Sequence, residues 1–435
     1  MTAADRTSDT PITLSTNGKG WLPELLRDVS FRRYWTGQTM SGFGDEVSVV
    51  VIPLVAVLVT HADAAQMGYL AAAGWLPHLL FGLHAGVWAD RRTRRRRVMI
   101  AADLGRLVLI ASIPLAYLFD GLTLTQLYVV AFAAGTLSVL FDVCNAPLFP
   151  ALVPPQRYIA GNSLLNGSRA MSRMAGPSIG GFLIQVLSAP FALFADAASF
   201  AVSALTLSSI APPEPSPERA ARGQLIEGIR YIAHSPIMRT ALAATATANF
   251  FTIMVAAEFM LYATNALHLE PGLIGIVLGA GAVGGLLGAF LAKPLTTRIG
   301  VGPTFLLGCI CFPAPMLLIP AAHGPTPAVL GLLLAAEFGS GLGVMWLDIA
   351  VSSILTAITP NNLRSRVFGA YRTINFGTRP LGSLTAAALA TTIGLRPTLW
   401  TAVIGALTAS LWLVPSPLRR LRELPGAEDV RDVVK

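Results

Sequence analysis

Apolar residues run along this chain in long unbroken stretches, separated by short polar segments rich in arginine. A helix needs about 20 apolar residues to cross ~30 Å of hydrocarbon. The stretches predict twelve such spans, near residues 34–59, 66–89, 98–119, 123–146, 162–187, 190–210, 237–265, 272–292, 302–321, 326–349, 365–392 and 397–414. The fifth and eleventh are the least apolar because both contain Arg; eleven or thirteen spans are the alternatives. The expected fold class is an all-α polytopic membrane protein.

The loops test that count. Arg32 and Arg33, the run Arg91 to Arg97, Arg157, Arg219 to Arg230, Lys293 with Arg298, Arg364 with Arg366, and the tail Arg419 to Lys435 all fall on one side. The opposite loops contain His61, Asp63, Asp120, Glu270 and His323, with Arg396 as their one base. This is the positive-inside asymmetry, and an odd miscount would scramble it. Both termini are therefore expected in the cytoplasm, with the protein multi-pass in the cell membrane.

Composition agrees. Of 435 residues 54% are hydrophobic and 12% charged, about half the charged fraction of a soluble domain, roughly 25%. Mean hydropathy is +0.63. Lipid rather than a polar shell must cover such a surface. The net charge of +8 clusters between apolar runs, where topology puts it, so no nucleic-acid partner is expected. Cys144, Cys309 and Cys311 fall in or at the ends of apolar runs and read as small buried hydrophobes, with neither disulfide nor metal site implied. Residues 1–30 lack a leading apolar core, so no cleavable signal is expected.

Two halves repeat. FDVCNAPLFPALVPPQRYIAGNSLLNGSRAMSRMAG aligns with WLDIAVSSILTAITPNNLRSRVFGAYRTINFGTRPLG at an offset of 206, matching Asp142 to Asp348, Pro154 to Pro360, Arg173 to Arg379 and Gly176 to Gly382. Similarly oriented six-helix halves imply an axis along the membrane normal and a substrate site where the halves face each other. The expected organisation is an N-terminal segment 1–30, a first bundle 31–210, a linker 211–236, a second bundle 237–414 and a tail 415–435. In the linker, Leu225, Ile229 and Ile232 recur at helical spacing among Arg and Glu between Glu218 and Ala233, which predicts an interfacial amphipathic helix.

The loop after the second span, GVWADRRTRR, places Gly86, Asp90, Arg91, Arg94 and Arg95 in the pattern G-x-x-x-D-R-x-x-R-R. It resembles the major facilitator superfamily, with Thr93 where the family has glycine. The resemblance implies a cytoplasmic gate in which the Asp ending the fourth span, Asp142, pairs with Arg94. In the second half Gly288 persists, but Ala292 stands where the Asp would be. The fifth span carries SRMAGPSIGG, similar to the antiporter motif of drug exporters, with Gly176, Pro177, Gly180 and Gly181 matching and Ser172 replacing its first glycine. Small residues permit close helix contact and Pro177 removes a backbone hydrogen bond. The fourth span lacks the Arg that many proton-coupled exporters carry; Arg106 on the third span is the nearest intramembrane Arg. DLGRLVL, ADAASF and EGIRYIAHSPIMR resemble the enterobactin and macrolide exporter subgroup.

A charge at the bilayer centre costs at least about 2.5–3.5 kcal/mol on insertion scales, so each intramembrane acid needs a partner, water or a proton. Asp45 and Glu46 lie about 18 Å into the first span. Being 100° apart, at most one of them points squarely into a chamber. Asn249 and Glu258 lie on the seventh span and Glu337 on the tenth; in the family the first, fourth, seventh and tenth spans line the cavity. Asp45, Glu46, Asn249, Glu258 and Glu337 are the candidate substrate and proton-coupling residues. Asp196, His78 and His84 read as packed groups, and Arg169, Arg173, Arg372 and Arg379 as partners of carboxylates or carbonyls. Phe43, Phe250, Phe251, Tyr262 and Trp346 read mostly as packing.

No phosphate-binding G-x-x-x-x-G-K-[ST] string occurs, and no H-E-x-x-H or G-x-S-x-G. The expectation is therefore not an enzyme but a monomeric, cofactor-free, proton-coupled exporter of a small organic molecule, surrounded by lipid. The alternative is an uptake symporter of the same fold.

Overall fold

The computed structural model describes residues 24–90, 94–211, 224–360 and 363–422. Within them the chain is helical, and its long helices follow the apolar runs. The first half contains α1 (Val29–Leu58), α2 (Ala64–Asp90), α3 (Arg95–Leu118), α4 (Leu124–Asn145), α5 (Tyr158–Leu187) and α6 (Ala189–Ser208). The second contains α7 (Pro236–Ala266), α8 (Pro271–Ile299), α9 (Val301–Ala321), α10 (Thr326–Ile358), α11 (Arg364–Ile393) and α12 (Leu395–Leu407). Eight of the twelve satisfy length and hydropathy for a membrane span among the described residues. α8 and α10 run past the predicted ends at 292 and 349, because Lys293, Arg298 and the serines after 349 stop the apolar run without stopping the helix.

Helix ends are secured locally. Asp28 and Thr123 accept from the backbone N–H three residues on and start α1 and α4, which satisfies donors a helix leaves open. Arg33 donates to Ser209 O at 2.6 Å and Arg96 to Ile210 O, two cations on the carbonyl end of α6, where the helix dipole favours them.

The two halves meet along α2 against α11 and α5 against α8. Both seams are built on small residues. A β-carbon at Gly68 would sit 2.7 Å from Ser383 O, and one at Gly181 would sit 2.7 Å from Pro271 O. Such approach maximises dispersion and backbone contact where lipid supplies no hydrophobic drive.

The apolar core is divided unequally. At the end opposite the termini one cluster runs through both halves, from Val47, Leu54 and Ile184 to Met254, Ile274, Leu333 and Leu399. At the terminal end there are two clusters. One contains Phe31, Tyr34, Met99, Phe141 and Leu207 of the first half. The other contains Met238, Phe305, Ile354 and Val367 of the second. The halves thus share one apolar core at the far end and have separate apolar cores at the terminal end.

The linker helix (Gln224–His234) is seated under the second half. Glu227 pairs with Arg366, Tyr231 Oη donates to Ile358 O at 2.6 Å, and Ile232 is buried in the terminal-end core. The described helix covers Gln224–His234; the expected start at Glu218 lies outside the described residues. Ile229, expected on its apolar face with Ile232, is exposed; the face actually used is turned toward Gly228, where α11 backbone leaves no room for a side chain.

Candidate functional site

Between the halves the charged side chains of α1, α4, α5, α10 and α11 converge. Asp142 on α4 lies 3.6 Å from Arg372 on α11, joining the halves at the terminal side. Glu46 lies 3.8 Å from Arg173 on α5. Arg173 and Arg379 are the cations that face Asp348 on α10. The cross-half arrangement is approximately symmetric: an acid of α4 faces a base of α11, and an acid of α10 faces a base of α5. The repeat that matched Asp142 to Asp348 carried this signal. The expected pairing of Asp142 with Arg94, both of the first half, is not formed: the carboxylate is turned across to Arg372 of α11, and Arg94 stands exposed at the start of α3. Arg95 opens α3 beside it. Gly86 and Asp90 lie in α2, but the surroundings of Gly86, the side chains of Asp90 and His84 and the whole of Arg91 are outside the described residues.

At mid-depth Arg379 is held on three sides. Its Nε and Nη2 donate to Asn249 Oδ1 at 3.1 and 3.0 Å. Its guanidinium carbon lies 4.2 Å from the Trp75 ring centroid and 4.4 Å from that of Phe376. Asn249 donates in turn to Asn375 Oδ1 at 2.7 Å, Asn375 donates to Thr245 Oγ1 at 3.0 Å, and Tyr371 lies 2.6 Å from the same hydroxyl. This network orients the guanidinium and joins α7 and α11 to α2. Trp75 and Phe376, which sequence reasoning did not single out, provide the rings between the halves; an aromatic residue in an apolar span bears no local mark. By contrast Trp346 donates to Gly288 O at 3.1 Å, and Phe250 and Phe251 pack against Gly382 and Gly405. The His78 ring lies tilted against that of Trp75, centroids 5.4 Å apart, with its Nδ1 enclosed and unpartnered among the described residues.

The candidate acids are dispersed. The Asp45 side chain is 53% exposed and Oδ1 lies 3.9 Å from Arg106 Nη1; Glu46, 27% exposed, turns the other way to Arg173. One helix turn cannot present both to the same space, as their 100° separation requires. Glu258 is fully buried near the far end of α7, and neither of its oxygens has a hydrogen-bond partner among the described residues. Its neighbours Met254, Val255, Ala257 and Phe259 belong to the core cluster that seals the two halves. Glu337 is half-buried on α10 with Oε2 toward Gly281 of α8. These four carboxyls do not form one cluster.

The α5 motif is a two-faced packing device. A β-carbon at Gly176 would strike Glu46, and one at Gly180 would sit 3.3 Å from Val47 O, both on α1. Gly181 and the Pro177 carbonyl face α8 across the seam at Gly275, where Ser178 Oγ donates to Gly275 O at 3.1 Å. Ser172 is buried against Gly42 with its Oγ unpartnered among the described residues. Ser172, Gly176 and Gly180 therefore serve their own bundle, and Pro177 and Gly181 on the other face serve the contact between bundles.

Two helical bundles sealed at one end, parted at the other, and enclosing ion pairs at mid-depth define a membrane transporter of the major facilitator fold. The chain belongs to the transmembrane secretion effector family of that superfamily, whose pattern matches residues 20–429. It is 29% identical over 399 residues to the multidrug efflux pump Tap of Mycolicibacterium fortuitum, covering 88% of this chain and 94% of that one. It is 25% identical over 436 residues to the enterobactin exporter EntS of Escherichia coli O1:K1 / APEC, covering 94% and 98%. Among solved structures, a mutant form of the nucleoside transporter NupG superposes with a TM-score of 0.71 at 9% identity, covering 89% and 99%. A bacterial homologue of the iron transporter ferroportin in an inward-facing state gives 0.69 at 17%, covering 90% and 99%. At these identities the solved structures speak to the fold alone.

Proposed function

We propose that this transporter exports a small organic molecule in exchange for protons, with both termini in the cytoplasm. The observation that carries the reading is Glu258: a carboxyl enclosed in the seal between the halves, with no hydrogen-bond partner among the described residues. A charged carboxylate there would face a desolvation cost of several kcal/mol, so the sealed state accommodates it with its proton on. Opening the far end to the outside would hydrate it and let the proton enter or leave. Exporter relatives of nearly full length support the direction.

In this reading the present state is open to the cytoplasm. Cargo enters between Asp45, Glu46, Asn249 and the Arg379 rings, and Glu258 and Glu337 carry protons against it. When the cytoplasmic end closes, Asp90, Arg94 and Asp142 form the latch at that end. The natural cargo belongs to the range of drugs, antibiotics, siderophores and other secondary metabolites.

The test begins with a susceptibility screen of a strain overproducing the protein, across antibiotics and dyes. Everted vesicles then receive a compound the screen selects, while a pH-sensitive dye reads the gradient. Wild type should dissipate the gradient when the compound is added, and Glu258→Gln should not, at equal expression. Undiminished gradient-driven transport in Glu258→Gln would remove Glu258 from the mechanism.

A further inference from the structure

At the far end a cleft of about 550 Å³ opens along the seam between α5 and α8. Both halves line it, Phe182 and Gln185 of α5 from the first, Glu270, Ile276 and Thr326 from the second. It faces lipid and not the space between the bundles. At this depth the interior is filled by the shared core, Ile184 and Ile274 among it, while Phe182 and Ile276 are 61% and 53% exposed.

The chemistry of the cleft changes with depth. Leu269 is buried and its N–H donates to Ala263 O at 2.9 Å, which pins the turn before α8 and leaves His268 and Glu270 exposed at the rim. Glu270 stands just before α8, but its side chain does not cap the helix. Among the described residues its carboxylate has neither a hydrogen bond nor an ion pair. A β-carbon at Gly272 would strike the Gln185 amide group, so the glycine is what lets that amide cross the seam to the first turn of α8. Thr326, also exposed, begins α10 at the same rim. Deeper, the walls are Phe182, Leu273 and Ile276. At the bottom Ser178, about 10 Å along α5 from Gln185, has its hydroxyl bonded to Gly275 O.

This volume lies within the roughly 300–1,000 Å³ of small-molecule sites. A polar rim over apolar walls fits an amphiphile standing along the membrane normal, with its head at the interface and a chain below. The rim offers partners for both signs of charge. Glu270 is a free carboxylate. Gln185 and Thr326 carry N–H and O–H donors, and α8 and α10 both begin here, with the positive ends of their dipoles at the rim. A lipid carrying a phosphate and a primary ammonium matches both: the ammonium donates to Glu270, and the phosphate accepts from the donors. Phosphatidylglycerol has a net negative charge that Glu270 opposes, and the choline head has no N–H to donate. The bilayer presents its lipids at high concentration, so a half-open cleft fills without tight binding.

We propose that this cleft is a binding site for phosphatidylethanolamine, which bridges α5 and α8 and holds the far end closed. The head sits between Glu270, Gln185 and Thr326, and one acyl chain lies along Phe182 and Ile276. Because the walls come from both halves, any parting of α5 from α8 takes the site apart, so the lipid favours the closed seam. Neither the site nor its hold on the seam depends on the cargo or on the coupling ion.

Native mass spectrometry of the purified full chain, titrated in detergent with phosphatidylethanolamine, phosphatidylcholine or phosphatidylglycerol, tests the site. One phosphatidylethanolamine should be retained in preference to the other two. Glu270→Gln should weaken its retention about tenfold, the loss of one charge-assisted hydrogen bond, and should not weaken that of phosphatidylglycerol. Ile276→Trp, which fills the apolar wall, should also displace the lipid. Phe290→Trp, toward the other end of α8 and 78% exposed, should not. Glycerophosphoethanolamine, which lacks the chains, should not compete at equal concentration. Equal retention of the three lipids, a preference for phosphatidylglycerol, or full retention in Glu270→Gln overturns the headgroup site. Retention in Ile276→Trp overturns it by placing the lipid elsewhere, and competition by the chainless head overturns the lipid as ligand. For the hold on the seam, far-end cysteine reporters, with the native cysteines replaced, should be labelled more slowly in phosphatidylethanolamine nanodiscs than in phosphatidylcholine ones. Equal labelling would overturn that hold. Failure of the Glu258→Gln test would sink the export reading and leave these measurements untouched.

Discussion

At the scale of single residues, neighbours in sequence can differ wholly in environment. Asp45 and Glu46 occupy successive positions on α1, yet one faces Arg106 within its own bundle and the other Arg173 on α5. Gly44, just before them, is set by contact: Ser199 and Asp196 fill the space a side chain would need. Gly44→Leu should therefore force α1 from α6, costing at least the 1–3 kcal/mol typical of overpacking. A drop of several degrees in the unfolding temperature of the detergent-solubilised protein would be the readout, and an unchanged temperature would contradict the packing. The pair Glu227–Arg366 makes the opposite case. Its side chains are 49% and 28% exposed, and exposed ion pairs are worth about 0–1 kcal/mol. Glu227→Gln should leave unfolding nearly unmoved, within ~1 kcal/mol, and should shift it less still in high salt.

At the scale of elements, α5 and α11 are the two spans whose arginines lower their hydropathy, and both form seams. Their function explains their composition. A helix lying between two bundles is shielded from lipid on two sides and can carry Arg173 or Arg379 toward the enclosed space. The α5 motif divides its labour, Gly176 and Gly180 toward α1 and Gly181 toward α8. Gly176→Val should accordingly reduce folded yield, since the contact lies within one bundle and exists in every state. Gly181→Val should instead weaken the far-end seal, giving normal yield with altered accessibility of far-end cysteine reporters. Equal effects of the two substitutions on yield would erase the distinction. Where α2 faces α11, Trp75→Ala would remove one of two rings stacked on Arg379, a contact of roughly 0.5–2 kcal/mol, and should change cargo affinity more than expression.

At the scale of the whole molecule, one fused core and two separate ones define the state. The far end must open for cargo to leave on that side, so a covalent tie there should arrest transport. With Cys144, Cys309 and Cys311 replaced, Gln185→Cys with Gly272→Cys places thiols where α5 and α8 meet at the far end, the amide end of Gln185 being what fills the space beside Gly272. Oxidation should stop efflux and reductant should restore it. Transport that continues under a complete cross-link would mean that the halves do not separate at that seam.

Much of this was legible in the residues alone. Hydrocarbon thickness dictates span length, and arginine placement dictates the parity of crossings, so the twelve long helices among the described residues and the family followed from pattern and motif, while several limits did not, α8 and α10 running on past 292 and 349. The repeat even announced that Asp142 and Asp348 would occupy related positions. Partner choice was not legible. Whether Asp142 meets Arg94 of its own bundle or Arg372 of the other depends on how the bundles are set against each other, which no local spacing encodes. Glu258 and Asp45 read alike as buried acids in apolar runs, yet the fold encloses one in the seal and opens the other to the space between halves. Local sequence determined which segments enter the lipid, because that depends on each segment's own transfer free energy. The packing of bundle against bundle decided which charges find one another, because that depends on distances between residues far apart in the chain.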